Sequence, residues 1–300
     1  MILIENISKS YGDIKSLTGI NATIGSGSIY GLIGSNGSGK STLLRIMSGI
    51  MRPDSGKVGY DGKLVYENPE VKDTVVYLSD EQYFLSNSTP DEMARLYGSL
   101  YSSFSFERYN ELLKLFGLDG GRKISTFSKG MKKQTAILLG LSCNPKYLLC
   151  DETFDGLDPV MRLLVKRILA EEVATKGLTP VIASHNLREI EDICDHIGLL
   201  HEGGILFESE IDTLKSEIHT VQGVFGEDKR AGDIFGDFHV VSENKRGALM
   251  TVVVRGERDK IEDAAKAAEP KYFEIIPLTL EEIFISEMEE RGYDYSKVVF

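Results

Sequence analysis

Gly34-Ser35-Asn36-Gly37-Ser38-Gly39-Lys40-Ser41-Thr42 lies between the apolar run Ile29-Tyr30-Gly31-Leu32-Ile33 and the helix-patterned run Leu43-Leu44-Arg45-Ile46-Met47. The stretch reads GxxxxGK[ST] in a strand–loop–helix setting, which is a phosphate loop. Its glycines let the backbone curl until successive N–H groups converge on an anion, and the helix that follows adds its positive N-terminal end. Ser35, Asn36, Gly37, Ser38, Gly39 and Thr42 are therefore expected to cradle the phosphates of a nucleoside triphosphate. Lys40 is placed to reach the β- and γ-phosphates, and the Ser41 hydroxyl to ligate Mg²⁺. A guanine reader of the NKxD type does not occur in the chain. Tyr11, in Lys9-Ser10-Tyr11-Gly12, is a candidate platform for adenine, against the competing reading of a packed surface tyrosine.

Outward from this loop, residues 1–210 alternate short apolar strands with helical segments. Strands are expected at 2–7, 28–33, 74–78, 147–150, 180–183 and 197–201. Helices are expected after Thr89-Pro90-Asp91-Glu92, a capping box with proline at the first helical position, and after Asp158-Pro159. Strands alternating with helices imply an α/β fold with a mostly parallel sheet covered on both faces. The segment at about 83–144 reads as almost entirely helical, a subdomain inserted into that core. From 211 to 300 the pattern changes to β-α-β-β-α-β, the order of a small α+β, ferredoxin-like accessory domain.

Composition narrows the classes. The 300 residues carry 46 Asp and Glu against 34 Lys and Arg, a formal charge of −12. Phosphate backbones are bound by clustered Lys and Arg, so this balance argues against nucleic acid as a partner. The longest charge-free stretch, 16–39, is 24 residues long but contains seven glycines and nine Ser, Thr or Asn, so it reads as strands and turns. The opening Met1-Ile2-Leu3-Ile4-Glu5 lacks the basic start and apolar core of a leader. Cys143, Cys150 and Cys194 form no CxxC pair and read as reduced packing residues of a cytoplasmic protein.

A second constellation supplies the chemistry for cleavage. Tyr147-Leu148-Leu149-Cys150-Asp151-Glu152 is an apolar strand ending in two carboxylates. Asp151 is expected to hold Mg²⁺ beside the phosphate loop, and Glu152 to orient and polarise the attacking water as a base. His185, closing the apolar run Val181-Ile182-Ala183-Ser184, is positioned to bond the γ-phosphate or to hold Glu152 and the water in line.

In this order, the motifs of residues 1–210 resemble the nucleotide-binding subunit of ABC transporters, a P-loop NTPase. The resemblance implies Tyr11 as the adenine-stacking aromatic, 34–42 as Walker A and 147–151 as Walker B. It also implies Glu152 as the catalytic glutamate, Gly156-Leu157-Asp158 as the D-loop and His185 as the switch histidine. The family signature, LSGGQ in its common form, stands here as Phe127-Ser128-Lys129-Gly130-Met131, so only Ser128 and Gly130 match. That segment is expected to open a helix over 132–142. Ser128 and the N–H groups there form a second anion site, which in the family faces the γ-phosphate held by a partner cassette. Two ATP molecules are then sandwiched in a head-to-tail dimer, of this chain with itself or with a paralogue. At the family's glutamine loop Asp80 stands in place of Gln, in Tyr77-Leu78-Ser79-Asp80. A carboxylate there can ligate Mg²⁺ or accept from the lytic water, and an altered metal response is expected.

The segment Leu278-Thr279-Leu280-Glu281-Glu282-Ile283-Phe284-Ile285 and the FSKGM form of the signature resemble exporter ATPases of the bacitracin- and drug-resistance type. The resemblance implies an ATP-hydrolysing subunit, with ATP and Mg²⁺, that drives an integral membrane permease from the cytoplasmic face of the membrane. Tyr83, Phe84 and Leu85 either contact that permease or cap the helical subdomain. Two other functions stay open on sequence: a soluble ABC ATPase such as one serving iron–sulfur assembly, and a nucleotide-sensing subunit with weak hydrolysis.

Overall fold

The computed structural model describes residues 1–226 and 228–290; Glu227 and the end of the accessory segment expected at 211–300 lie outside the described residues. The chain gathers into two compact units, Met1–Glu208 and a second that begins at Ser209.

A six-stranded sheet, in the first unit but for the last two residues of its edge strand, runs in the order Gly204–Glu210, His196–His201, Tyr30–Ile33, Thr179–Ser184, Tyr147–Asp151, Val75–Leu78. The inner pairings are parallel: Tyr30 lies opposite both Val181 and His196, and Leu149 opposite both Val181 and Tyr77. Tyr30–Ile33, Tyr147–Asp151 and Thr179–Ser184 are buried at every position. Continuous burial is what a parallel strand covered on both faces requires, and it explains their unbroken apolar character. Parallel pairing also brings the carboxyl ends of these strands to one edge, where ligands bind in such sheets.

One expected strand is not in this sheet. The residues at 2–7 belong to a longer strand, Ile2–Tyr11, in a separate four-stranded sheet ordered Ile14–Ile24, Ile2–Tyr11, Ser55–Tyr60, Lys63–Leu64. Every pairing in it is antiparallel. The reason is the period: Ile2, Ile4 and Ile7 are buried while Leu3 and Asn6 are exposed, the alternation of a sheet with one wet face. Its partner over 14–24 alternates in the same way but carries Ser, Thr and Asn on the outer face, which hides it in the composition. The helix Lys40–Met47 lies between the two sheets, since Leu43, Leu44, Ile46 and Met47 share one buried cluster with Ile2, Ile4, Leu149 and Val181. The phosphate loop is thus fixed by apolar packing on both sides.

The helical insert contains Pro90–Leu100, Phe106–Leu115 and Lys129–Ser142. Thr89 and Glu92 form the expected reciprocal cap: Thr89 Oγ1 accepts from Glu92 N at 3.2 Å, and Glu92 Oε2 accepts from Thr89 N at 2.9 Å. The signature helix starts at Lys129, three residues before the expected 132, because Ser128 Oγ accepts from Met131 N at 3.2 Å and caps the turn. The signature residues therefore form the first turn of the helix.

The second unit is built on an antiparallel sheet ordered His239–Arg246, Leu249–Arg255, Ile218–Val224, Tyr272–Pro277. Its helices Ala231–Phe235 and Arg258–Ala267 contribute Phe235, Ile261 and Ala265 to a core with Val221, Val252 and Val254. This is the split βαβ arrangement. The first of these helices starts at Ala231, where Asp233 Oδ2 accepts from Arg230 N at 2.9 Å. All three cysteines are free and buried. Among the described residues, no helix is long and apolar enough to cross a membrane.

Candidate functional site

The carboxyl end of Tyr30–Ile33 runs into the loop 34–39 and then the helix Lys40–Met47. Gly39 caps that helix at φ 110°, and a Cβ on it would stand 2.6 Å from Ser16 O and 2.8 Å from Leu17 Cδ2. Both the backbone angle and the space therefore demand glycine. Lys40 is 6% exposed; its Nζ donates to Gly34 O at 2.6 Å and Ser35 O at 3.2 Å and lies 3.5 Å from Glu152 Oε1. Burial holds Lys40 below the ordinary lysine pKa, against the opposing pull of Glu152 and then Asp151.

Tyr147–Asp151 delivers its carboxylate under this loop. Asp151 is buried, and its two oxygens are divided: Oδ1 accepts from Ser41 Oγ at 3.0 Å and Oδ2 accepts from Tyr77 OH at 2.9 Å. The Tyr77 hydroxyl is pushed up to about 12, first by burial and then by the charge of Asp151, while the neighbouring Arg45 opposes the shift. Tyr77 is a site residue that sequence reasoning missed. The register Tyr77 opposite Leu149 places it two residues from Asp151 on the adjacent parallel strand, which a correct strand pairing would have revealed.

Glu152 follows with φ 46°, in the left-handed region. Its N–H donates to Ala183 O at 3.0 Å, and Lys133 Nζ donates to its carbonyl. Its carboxylate faces Lys40 on one side and His185 Nδ1, 3.0 Å from Oε2, on the other. Asp155, also missed by sequence reasoning, joins this pair: ligand atoms of Glu152, Asp155 and His185 lie within 4.8 Å of one another. The signal was an acid three residues after Glu152, in the turn where Asp155 N donates to Glu152 O.

A cleft of about 280 Å³ opens above these groups, lined among others by Asn36, Gly37, Lys40, Ser41, Asp80 and Glu152. It combines a buried cation, backbone N–H groups at a helix start and hard oxygen donors, which is a fit for polyphosphate and for a small divalent cation. Asp80 lies in the cleft, and its Oδ1 is 3.2 Å from the ammonium of Lys133. Its carboxylate is thus held by a charge that the sequence reading did not anticipate.

Other expected residues stand apart from this cleft. Tyr11 is half-exposed at the end of its strand, its hydroxyl 3.0 Å from Met51 Sδ. Ser128 caps its own helix, and Asp158 caps Pro159–Lys176 by accepting from Met161 N at 2.9 Å. Gly130 approaches the D-loop so closely that a Cβ would lie 3.0 Å from Gly156 O. Ser128, Gly130 and Asp158 do not line the cleft.

A family model described as ABC transporter matches residues 17–155. The ABC transporter ATP-binding protein YtrB of Bacillus subtilis (strain 168) is 30% identical over 287 residues, 96% of this chain and 98% of the relative. The bacitracin transport ATP-binding protein BcrA of Bacillus licheniformis is 32% identical over 218 residues, 72% of this chain and 71% of the relative. Among solved structures, the dimeric structure of MJ0796, a bacterial ABC transporter cassette, matches with a TM-score of 0.63 at 25% identity. It covers 70% of this chain and 99% of that one.

Proposed function

Because the chain belongs to the ATP-binding proteins of ABC transporters and is an ATPase of that family, we propose that it powers a separate membrane permease, in the direction of export. The observation that carries this reading is the convergence of Lys40, Ser41, Asp151, Glu152 and His185 at one edge of the parallel sheet. Export is supported by the similarity to the bacitracin transport protein. The match to YtrB extends across both units, so the accessory segment belongs to the same kind of subunit.

In this proposal the 34–42 loop wraps the triphosphate, with the N–H groups of the loop and the Lys40 ammonium answering its charge. Ser41 Oγ and Asp151 are the residues that would hold Mg²⁺, which when bound supplies charge neutralisation at the β- and γ-phosphate oxygens. Tyr77 and Ser41 each take one oxygen of Asp151, so the carboxylate is fixed in place before any ligand arrives. Glu152 accepts the proton of the attacking water as the water oxygen bonds to the γ-phosphorus. The bond from that phosphorus to the oxygen left on ADP then breaks. His185 holds Glu152 Oε2, fixing the carboxylate in line. The work of a lone cassette stops short of turnover: Ser128, Gly130 and Asp158 act on the nucleotide of a second cassette, and ATP closes the pair. Tyr11 stacks on adenine. Asp80 is the one expected oxygen donor whose carboxylate another charge already occupies.

The permease contact is assigned to the segment after Asp80, where Tyr83 is 82% exposed and Leu85 51% exposed, with Phe84 half-buried between them. Affinity-tagged chain expressed at native level is expected to sediment with the membrane fraction and to bring down a multispan membrane protein. Replacing Tyr83 and Leu85 by serine should release it to the supernatant with ATP binding intact. Wild-type chain recovered wholly in the supernatant, with no membrane protein, would contradict the transport reading.

A further inference from the structure

Lys133 has no counterpart in the proposed reaction, yet it is the most deeply buried cation near it. It lies one turn into the helix Lys129–Ser142, and its side chain is 1% exposed. A buried ammonium is tolerated only when it is paired and hydrogen-bonded. Lys133 meets that condition with two partners from different parts of the chain. Asp80 Oδ1, in the loop after Val75–Leu78, lies 3.2 Å from its Nζ, and the backbone carbonyl of Glu152 accepts a hydrogen bond from it.

The second partner is the informative one. Glu152 is neither glycine nor asparagine and holds φ at 46°. A side-chain-bearing residue stays in that sparsely populated region only where its surroundings over-determine it. Here both ends of the residue are tied: its N–H donates to Ala183 O, and its C=O accepts from Asp155 N at 3.2 Å and from the Lys133 ammonium. That backbone angle sets the direction of the side chain, which meets Lys40 and His185. Without Lys133 the carbonyl keeps only the turn bond from Asp155 N, and the charge-assisted tie that opposes relaxation to an ordinary angle, with the carboxylate carried away from both, is lost.

We infer that Lys133 is a positioning residue that locks Glu152 in its left-handed conformation, and that Asp80 is the counter-charge which makes a buried lysine affordable there. On this inference Asp80 and Lys133 are one matched device. The carboxylate at a position where the family resemblance leads one to expect glutamine is explained by the ammonium facing it, without a metal. The inference rests on Glu152 being the base for water attack, so Glu152→Gln is run in parallel.

The test compares Lys133→Met, Lys133→Gln, Asp80→Gln and the double variant Asp80→Gln/Lys133→Gln in the full chain, with melting temperature measured for each. Lys133→Met is expected to lower kcat by about 30-fold with KM for ATP within about threefold, since it misplaces a reacting group without touching the nucleotide. Lys133→Gln keeps an N–H donor for the Glu152 carbonyl and should recover to within about fivefold of wild type. Asp80→Gln strips the counter-charge from a buried ammonium and should lower kcat by about tenfold, and the double variant should be more active than Asp80→Gln alone. The Mg²⁺ concentration for half-maximal turnover should be the same in Asp80→Gln as in wild type. Folded Lys133→Met with kcat within twofold of wild type overturns the inference. So does a raised Mg²⁺ requirement in Asp80→Gln, which places Asp80 on the metal, or effects of the two sites that simply multiply. If Lys133→Met does not fold, the other three variants decide the matter by the same criteria. Activity retained in Glu152→Gln would instead remove the base on which the inference stands, whereas an inactive Glu152→Gln beside an unimpaired Lys133→Met removes the inference alone.

Discussion

Glu152→Gln is expected to lower steady-state ATP turnover by about a thousandfold, with ATP affinity changed by less than about threefold. The asymmetry follows from where the carboxylate sits. Its Oε1 is 3.5 Å from Lys40 Nζ and its Oε2 3.0 Å from His185 Nδ1, and neither contact is needed to grip the triphosphate. Glutamine keeps the size and an acceptor oxygen, so packing is preserved and only the capacity to take a proton from water is lost. Loss of a base with intact binding affects kcat and not the dissociation constant. Equilibrium binding of a fluorescent ATP analogue beside a phosphate-release assay separates the two. Turnover within tenfold of wild type would take proton acceptance away from Glu152 and leave Asp155, within 4.8 Å of the same cluster, as the next candidate.

Lys40→Ala is expected to weaken ATP binding itself by about a hundredfold, a different signature from Glu152→Gln. Lys40 is the buried cation of the loop, donating to Gly34 O and Ser35 O. Its ammonium is held at the mouth of the loop by backbone carbonyls, with no acidic side chain to give up when phosphate arrives except the partner at 3.5 Å. Charge-assisted hydrogen bonds to phosphate are worth about 1.5–3 kcal/mol each, and their loss falls on the ground state as well as the transition state. The variant also leaves Glu152 without its cation, so turnover should fall by at least as much as affinity. Isothermal titration with ATP and Mg²⁺ checks the first effect. Affinity retained within threefold would show that the N–H groups of the loop alone carry binding.

The parts of the site that were legible in the sequence are those made by consecutive residues. The 34–42 loop, the Asp151-Glu152 pair and His185 are each local strings ending buried strands, and parallel pairing of those strands brings them together. Apart from Asp155, three residues after Glu152, the residues missed are those whose neighbours are distant in the chain. Tyr77 reaches Asp151 only through strand register, and Lys133 reaches Asp80 and Glu152 only through packing of the helical insert. Asp80 was visible as a departure, but its partner was not, because a lysine in a helix reads as solvated until its burial is known. The antiparallel sheet was hidden for another reason. Its strands carry polar residues on the exposed face, and with that face removed the alternation of Ile20, Ala22 and Ile24 is plain. The signature helix begins early because Ser128 supplies a cap, a signal present in the sequence.

In the proposed cycle two such chains close over ATP, and neither completes a site alone. The most direct measurement is the mass in solution, by light scattering, of Glu152→Gln with saturating ATP and Mg²⁺, against the same variant with ADP. A particle of roughly twice the 33.3 kDa chain is expected with ATP and a single chain with ADP. A single chain under saturating ATP would contradict it.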